Sequence, residues 1–163
     1  MLASGTIVVC SNGQRALRLW TPCQLNTTEV AIPHAKSNVC GICRLLFDLQ
    51  EMFALIFQGE CWLQLYRLGK SELILVQCIR LNFFPSRLLW LACTQSLLLC
   101  QWNSNENVHA VRLGESTKVQ RVYLDGEPRM IRSWCVWREQ NGKERGIILY
   151  DSENQSVKKF SLE

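Results

Sequence analysis

This sequence predicts an all-β chain built from repeats of one small unit, four short strands over roughly 46 residues. The first observation is a hairpin pattern that occurs four times: an apolar run, a short polar turn, then an alternating strand. It reads TIVVCSNGQRALRLWTP at 6–22, MFALIFQGECWLQLYRL at 52–68, SLLLCQWNSNENVHAVRL at 96–113 and GIILYDSENQSVKKFSLE at 146–163. The second is spacing. With Leu19, Leu65, Val111 and Phe160 at the same place in the second strand, the steps are 46, 46 and 49 residues. The third is turn chemistry: SNGQ, QGE, NSNEN and DSENQ are all residues that favour tight turns.

The segments between the hairpins repeat as well. After each comes a strand-like run, TEVAI (28–32), ELILVQCIRL (72–81) or KVQRVYL (118–124), then a break at Pro33, Pro85 or Pro128. A second run follows: VCGICRLLF, SRLLWLAC or MIRSWCVW. One stretch opposes this reading. Across 44–57, Leu45, Leu49, Met52, Phe53 and Ile56 fall at helical spacing, with Arg44, Asp48 and Glu51 opposite. The other copies have Cys93-Thr94-Gln95-Ser96 and the segment 138–145 at that place, and neither is helical in pattern. A repeat uses one structure each time, so 48–51 is expected to be a turn between strands.

Composition sets the outer bounds. At 163 residues the chain is one domain's worth of polypeptide, and 48% hydrophobic with 20% charged residues describes a folded globule. The longest apolar runs, ALIF and LLWLAC, stop far short of the roughly 20 residues of a spanning helix. The opening MLASGTIVVCSNG has no basic stretch of the kind that starts a signal peptide. Nine cysteines, an odd number at irregular spacing, form no disulfide framework, and most are expected as small buried apolar residues. The chain is therefore expected inside the cell, in cytoplasm or nucleus, away from membranes. A net charge of +4 with scattered basic residues points only weakly to an anionic partner.

Four strands per unit at a period near 45 resembles the blade of a β-propeller, the WD-repeat family in particular. LRLWTP stands where that family has its strand ending in Trp-Asp, and LLFDLQEMFALIFQ resembles its turn into the second strand. The resemblance covers the whole chain and implies a rigid scaffold that docks proteins. The chain departs from the family pattern in having no Gly-His pair and in Thr21 following Trp20. Labelling the strands of a blade a to d, the chain begins in a b strand and ends in a c strand, about 3.5 blades. Repeat units then fall at approximately 1–41, 42–87, 88–136 and 137–163 of a partial propeller spanning 1–163. An incomplete ring leaves open edges, so a protein partner or a second copy is expected to complete it.

Four constellations bear on chemistry. Cys23, His34, Cys40 and Cys43 have the spacing of a three-cysteine, one-histidine zinc site, but Cys40 and Cys43 on one strand point to opposite faces. Gly69-Lys70-Ser71 ends like a phosphate-binding loop, yet Gln64 stands where the first glycine belongs and a strand follows. His34 and His109 are the only histidines and no nucleophile elbow is present, so no catalytic, cofactor-binding or metal-binding set is expected. RMIRSWCVWR, at 129–138, places Arg132, Trp134 and Arg138 on one face of a strand, the pairing common in protein-interaction hot spots. The same residues also describe a strand whose arginine stems merely cover a tryptophan.

The expected function is a non-catalytic interaction scaffold with Arg132, Trp134 and Arg138 as its candidate contacts. One alternative is nucleic-acid binding through the 129–138 strand, with arginine and tryptophan stacking on bases. The other is a piece of an enzyme whose site lies outside this chain.

Overall fold

The computed structural model describes residues 7–9, 16–20, 27–33, 35–69, 72–102, 107–114, 116–124 and 130–161, with backbone alone at 7–9. Among them are fourteen strands and no helix, in sheets of three, four, four and three antiparallel strands. Every pairing within a sheet joins strands adjacent in sequence, so each sheet is a simple meander. The chain divides into two compact units, Met1–Phe84 and Pro85–Glu163.

Unit one holds two sheets. The first contains β1 (Ile7–Val9), β2 (Ala16–Trp20) and β3 (Thr27–Ala31). The second contains β4 (Val39–Phe47), β5 (Gln50–Phe57), β6 (Trp62–Leu68) and β7 (Leu73–Arg80). Residues 52–57 of β5 are all buried, as expected of a central strand covered on both faces. Leu17 and Val30 of the first sheet pack with Val39, Phe53, Leu55, Phe57, Tyr66 and Leu73 of the second. A parallel bridge between Ala31 and Glu72 adds a backbone link. The helical pattern across 44–57 gives way to a hairpin in which Phe47 pairs with Gln50, and Arg44 meets Glu51 across the strands. The turn is shorter than 48–51: only Asp48 and Leu49 lie outside the ladder, at φ 51° and 59°.

Unit two repeats the plan. Its first sheet is β8 (Pro85–Leu91), β9 (Ser96–Gln101), β10 (Val108–Arg112) and β11 (Lys118–Val122). Its second is β12 (Ile131–Arg138), β13 (Glu144–Asp151) and β14 (Ser156–Ser161). Leu91, Leu98, Cys100 and Val108 of one sheet pack with Ile131, Ile147 and Leu149 of the other, with Trp134, Val136 and Phe160 closing the cluster.

The structural period is carried by the opening strands of the second, third and fourth sheets. In β4, β8 and β12 the ladder skips one residue at the same place: Cys40, Ser86 and Arg132, each 46 after the last. The Cys40 thiol donates to the Ile56 carbonyl at 3.6 Å and the Ser86 hydroxyl to that of Cys100 at 3.2 Å, so two of the three bulges are tied back to the neighbouring strand in the same way. Beyond the bulge, Gly41, Arg87 and Ser133 pair with Ile56, Cys100 and Tyr150. Three residues before those partners stand Phe53, Leu97 and Ile147, which pair with Tyr66, Val111 and Phe160. Tyr66, not Leu65, is thus the counterpart of Val111 and Phe160. A one-residue slip matters because it exchanges the two faces of a strand. The sheets are also offset from the repeat units: boundaries near 41, 87 and 136 fall inside β4, β8 and β12.

Most cysteines are not where the sequence suggested. Of the seven described, Cys100 alone is buried, and Cys40, Cys78, Cys93 and Cys135 are exposed. They lie on outer strands and at a turn, where covering is thin, and small apolar character did not draw them inward.

Among the described residues Asp151 is the buried exception among charges, with no exposed side-chain area. Its carboxylate accepts from the backbone N–H of Met130 and Glu153 and from the Asn154 amide, with the Lys158 ammonium 3.6 Å away. One side chain therefore fixes both the β13–β14 turn and the entry to β12. Asp151→Ala leaves those buried donors without their acceptor, and the expected cost is about 2–4 kcal/mol in urea unfolding. Leu49, 95% exposed at positive φ, bears the opposite prediction. Leu49→Gly gives the Asp-Gly pair a two-residue hairpin prefers, and should raise stability by about 0.5–1 kcal/mol in the same assay.

Candidate interaction surface

β12 carries the residues singled out from sequence, and a bulge sets Arg132 apart from the other two. The bulge at Arg132 breaks the simple alternation of the strand, and a second irregularity opposite Trp137 and Arg138 skips Arg145 of the neighbouring β13. Trp134 turns into the core of unit two, where its indole N–H donates to the Leu88 carbonyl at 3.3 Å. Arg132 stays exposed, its Nε donating to the Ser152 hydroxyl at 3.3 Å. Arg138 stays exposed and pairs with Glu144 at 2.7 Å. The bulge takes Arg132 out of the alternation, whereas Trp134 and Arg138, four apart with no skipped β12 residue between them, keep one side of the strand. A nucleic-acid reading needs Trp134 open as a stacking platform, and that ring is committed to packing.

The opposite face of the same strand was missed. There Cys135 and Trp137 look away from the core beside Ile148, Tyr150, Val157 and Lys159. The Lys159 ammonium sits 3.1 Å above the centre of the Trp137 ring, a cation–π contact. The Arg138–Glu144 pair shows how charge is arranged at the edge. Glu144 also accepts the Cys93 backbone N–H at 3.0 Å. Burial pushes its carboxyl up, but the Cys93 donor and the Arg138 guanidinium outweigh it and hold the group below its ordinary value.

Unit one offers a groove of about 500 Å³ at one end of its second sheet, lined in part by Lys36, Glu60, Cys61, Trp62, Cys78 and Phe84. The QGE turn shapes it: Gly59 adopts φ 72°, where a side chain would strain the backbone. Trp62 is 37% and Phe84 53% exposed, and the Arg80 guanidinium lies 6.0 Å from the Trp62 ring centre. Beneath it, burial raises the Tyr66 phenol to about 12, with Cys78 and Glu60 adding, so the hydroxyl stays neutral and donates to Gln64. Burial and then Glu60 likewise push the Cys78 thiol up, away from the thiolate that a nucleophile requires.

Cys40 and Cys43 both lie on β4, with Cys43 Sγ turned to the Arg44 carbonyl; Cys23 and His34 lie outside the described residues. Gly69 and Glu72 close the β6–β7 connection by a 2.9 Å backbone bond, and a strand follows; Lys70 and Ser71 are outside the described residues, as are Pro128 and Arg129. His109 is half-buried on β10, its Nε2 3.3 Å from the Gln101 side-chain amide oxygen Oε1.

No family model matches the chain, and no curated protein does. Solved structures do. Over 98% of its length the chain superposes on part of a crystal structure of the mitotic checkpoint complex, with TM-score 0.59 and 10% identity. A protein from Lactobacillus plantarum gives TM-score 0.57 at 6% identity, and dihydro-heme d1 dehydrogenase NirN in complex with DHE gives 0.57 at 14%. The chain spans 48%, 53% and 36% of those three chains, about half or less. At such identities the likeness is one of fold. The chain is a divergent partial β-propeller, all-β, with fourteen strands among the described residues in successive antiparallel blades.

Burial, with the Arg121 charge adding, pulls His109 below its ordinary value. The unfolded chain then takes up this proton first, so stability is lost as pH falls through about 6.5 toward the folded value. Thermal melts at stepped pH should show that loss in the wild type, and His109→Gln should flatten it.

Proposed function

We propose that this chain is a non-catalytic protein-interaction scaffold, part of a larger assembly inside the cell. The observation that carries the proposal is the groove of unit one, where Trp62 and Phe84 stand exposed with Arg80 beside the indole. Tryptophan and arginine set on a rigid sheet are the residues that dominate binding energy at protein interfaces, because large apolar area is ordered before the partner arrives. Lys36 and Glu60 at the rim supply charges of both signs for register. The partner that fits is a protein segment presenting an apolar side chain to Trp62 and Phe84. Arg132 and Arg138 are proposed as further contacts on unit two, each exposed on β12, whereas Trp134 acts by packing. The propeller is completed, in this reading, by further polypeptide. Two of the solved structures it resembles in fold are the mitotic checkpoint complex and NirN in complex with DHE, which is compatible with docking on such a frame.

The test is affinity capture with the tagged full-length protein, comparing wild type with Trp62→Ala and Phe84→Ala. A specific partner retained by the wild type should be lost at least about tenfold from both variants. Capture indifferent to both substitutions, with circular dichroism unchanged, removes the groove from the proposal.

A further inference from the structure

The closing strands of the first three sheets, β3, β7 and β11, are edges, each with one neighbour in its sheet among the described residues. Two of them are short and guarded by charge, as edges that must not recruit other chains are. β3 and β11 have five residues each, the first carrying Glu29 and the second Lys118 and Arg121. β7 differs. It runs for eight residues and has no charged side chain before its last, Arg80. Ile74, Leu75 and Val76 stand 41%, 45% and 52% exposed along it. This edge lies in the middle of the chain, with β3 before it and β8 after. The bridge from Ala31 meets the chain at Glu72, just ahead of the strand, and leaves the edge itself clear.

What a strand edge lacks is backbone partners, and the chemistry that supplies them is an extended polypeptide. The register shows where its side chains would fall. Leu73 and Leu75 pair with Leu68 and Tyr66, on the side of the sheet that packs with Leu17 and Val30. Alternation carries the same side on to Gln64 opposite Cys78 and Trp62 opposite Arg80, at the groove. Alternate side chains of an added strand therefore lie beside Leu75 and then reach the groove of Trp62 and Phe84. Charge is uneven there. Arg80 has its guanidinium by the indole and no ion pair among the described residues, and with Lys36 it outweighs Glu60. The ladder with β6 skips Val76 alone, and a bulge hinders a flat strand from sliding along an edge, so an incoming strand is held to one register.

We propose that β7 accepts an extended segment of a partner protein as a fifth strand of its sheet, apolar along Leu73–Ile79 and acidic where it meets Arg80. Backbone hydrogen bonds to β7 hold the segment, Ile74, Leu75 and Val76 are covered by its apolar side chains, and Arg80 pairs with its carboxylate. This rests on the scaffold reading, since it takes the Trp62 groove as one end of the same site, and it names the form in which the partner binds.

The probe is a labelled peptide, acetyl-Thr-Val-Thr-Ile-Val-Glu-amide, with its reversed sequence for the opposite strand direction, read by fluorescence anisotropy against the full chain. One of the two should bind, and hydrogen exchange should show amides of β7 slowed by it while those of β11 are unchanged. Methylating the peptide's backbone nitrogens leaves the protein untouched and should weaken binding at least about tenfold. Val76→Lys, which guards the edge, should do the same with circular dichroism intact. Lysine in place of the peptide's glutamate should also weaken binding, and Arg80→Glu should recover the lysine peptide. The proposal is overturned if neither peptide binds, if backbone methylation makes no difference, or if protection falls outside β7. It is overturned as well if the wild type self-associates and Val76→Lys abolishes that, for the occupant is then a second copy. Binding that survives Trp62→Ala keeps strand addition and removes the groove. Loss with Trp62→Ala but not with Val76→Lys or methylation keeps the groove and sinks strand addition.

Discussion

A meander of three or four strands satisfies its own backbone hydrogen bonds but not its side chains. Each sheet here has apolar residues directed to both faces in its middle strands, as β5 and β9 show with their unbroken buried runs. Such a sheet is unstable as a single layer, because an apolar face left in water forfeits the main favourable term of folding. Covering that face is the constraint on which the remaining structure depends. It explains why the sheets come in packed pairs, why the core of each unit draws on two sheets and why bulges recur at one position. It also explains why Asp151 can be buried. The carboxylate takes the place that Phe57 holds in the second sheet, opposite Ile131 as Phe57 is opposite Val39, and survives there because it is supplied with donors.

Much of the fold was legible because strand and turn chemistry is local. The four hairpins, the runs between them and the strand count all follow from residues within a few positions of one another, and the blade-like period follows from their recurrence. The stretch 44–57 was the hardest element, since its apolar spacing suits a helix. Recurrence decided it correctly, and the pairing of Phe47 with Gln50 shows that Leu45 and Met52 meet across a ladder rather than along a helix face. What periodicity did not supply was register. Near-equal spacing aligns Leu65 with Val111 and Phe160, but the connections from β4 to β5, β8 to β9 and β12 to β13 differ in length, so equal steps do not mark equal positions.

The candidate site was less legible for the same reason. Alternation along β12 places Arg132 with Trp134 and Arg138 only if the strand is regular from its start, and the bulge at Arg132 is a consequence of pairing with β13. A bulge has no signature in the strand that bears it. Trp137 and Lys159 come together across three strands, and the groove around Trp62 is gathered from a turn, two strands and the residues before β4 and β8. Neither can be reached by reading along the chain. The exposed cysteines follow the same logic, since a strand's place in its sheet, rather than residue type, decides how much covers it.

The fixed bulges and the unequal connections divide labour within each blade. Cys40, Ser86 and Arg132 keep one spacing although they share no chemistry, while the links that follow β4, β8 and β12 run from two residues at 48–49 to five at 139–143. Register is thus stored in backbone geometry that many side chains tolerate, and length variation is confined to places where it does no harm. Such a chain has wide freedom to drift: substitutions erase sequence likeness long before they disturb a ladder, and insertions at the tips leave the cores untouched. A lineage built this way preserves its shape while its letters become unrecognisable.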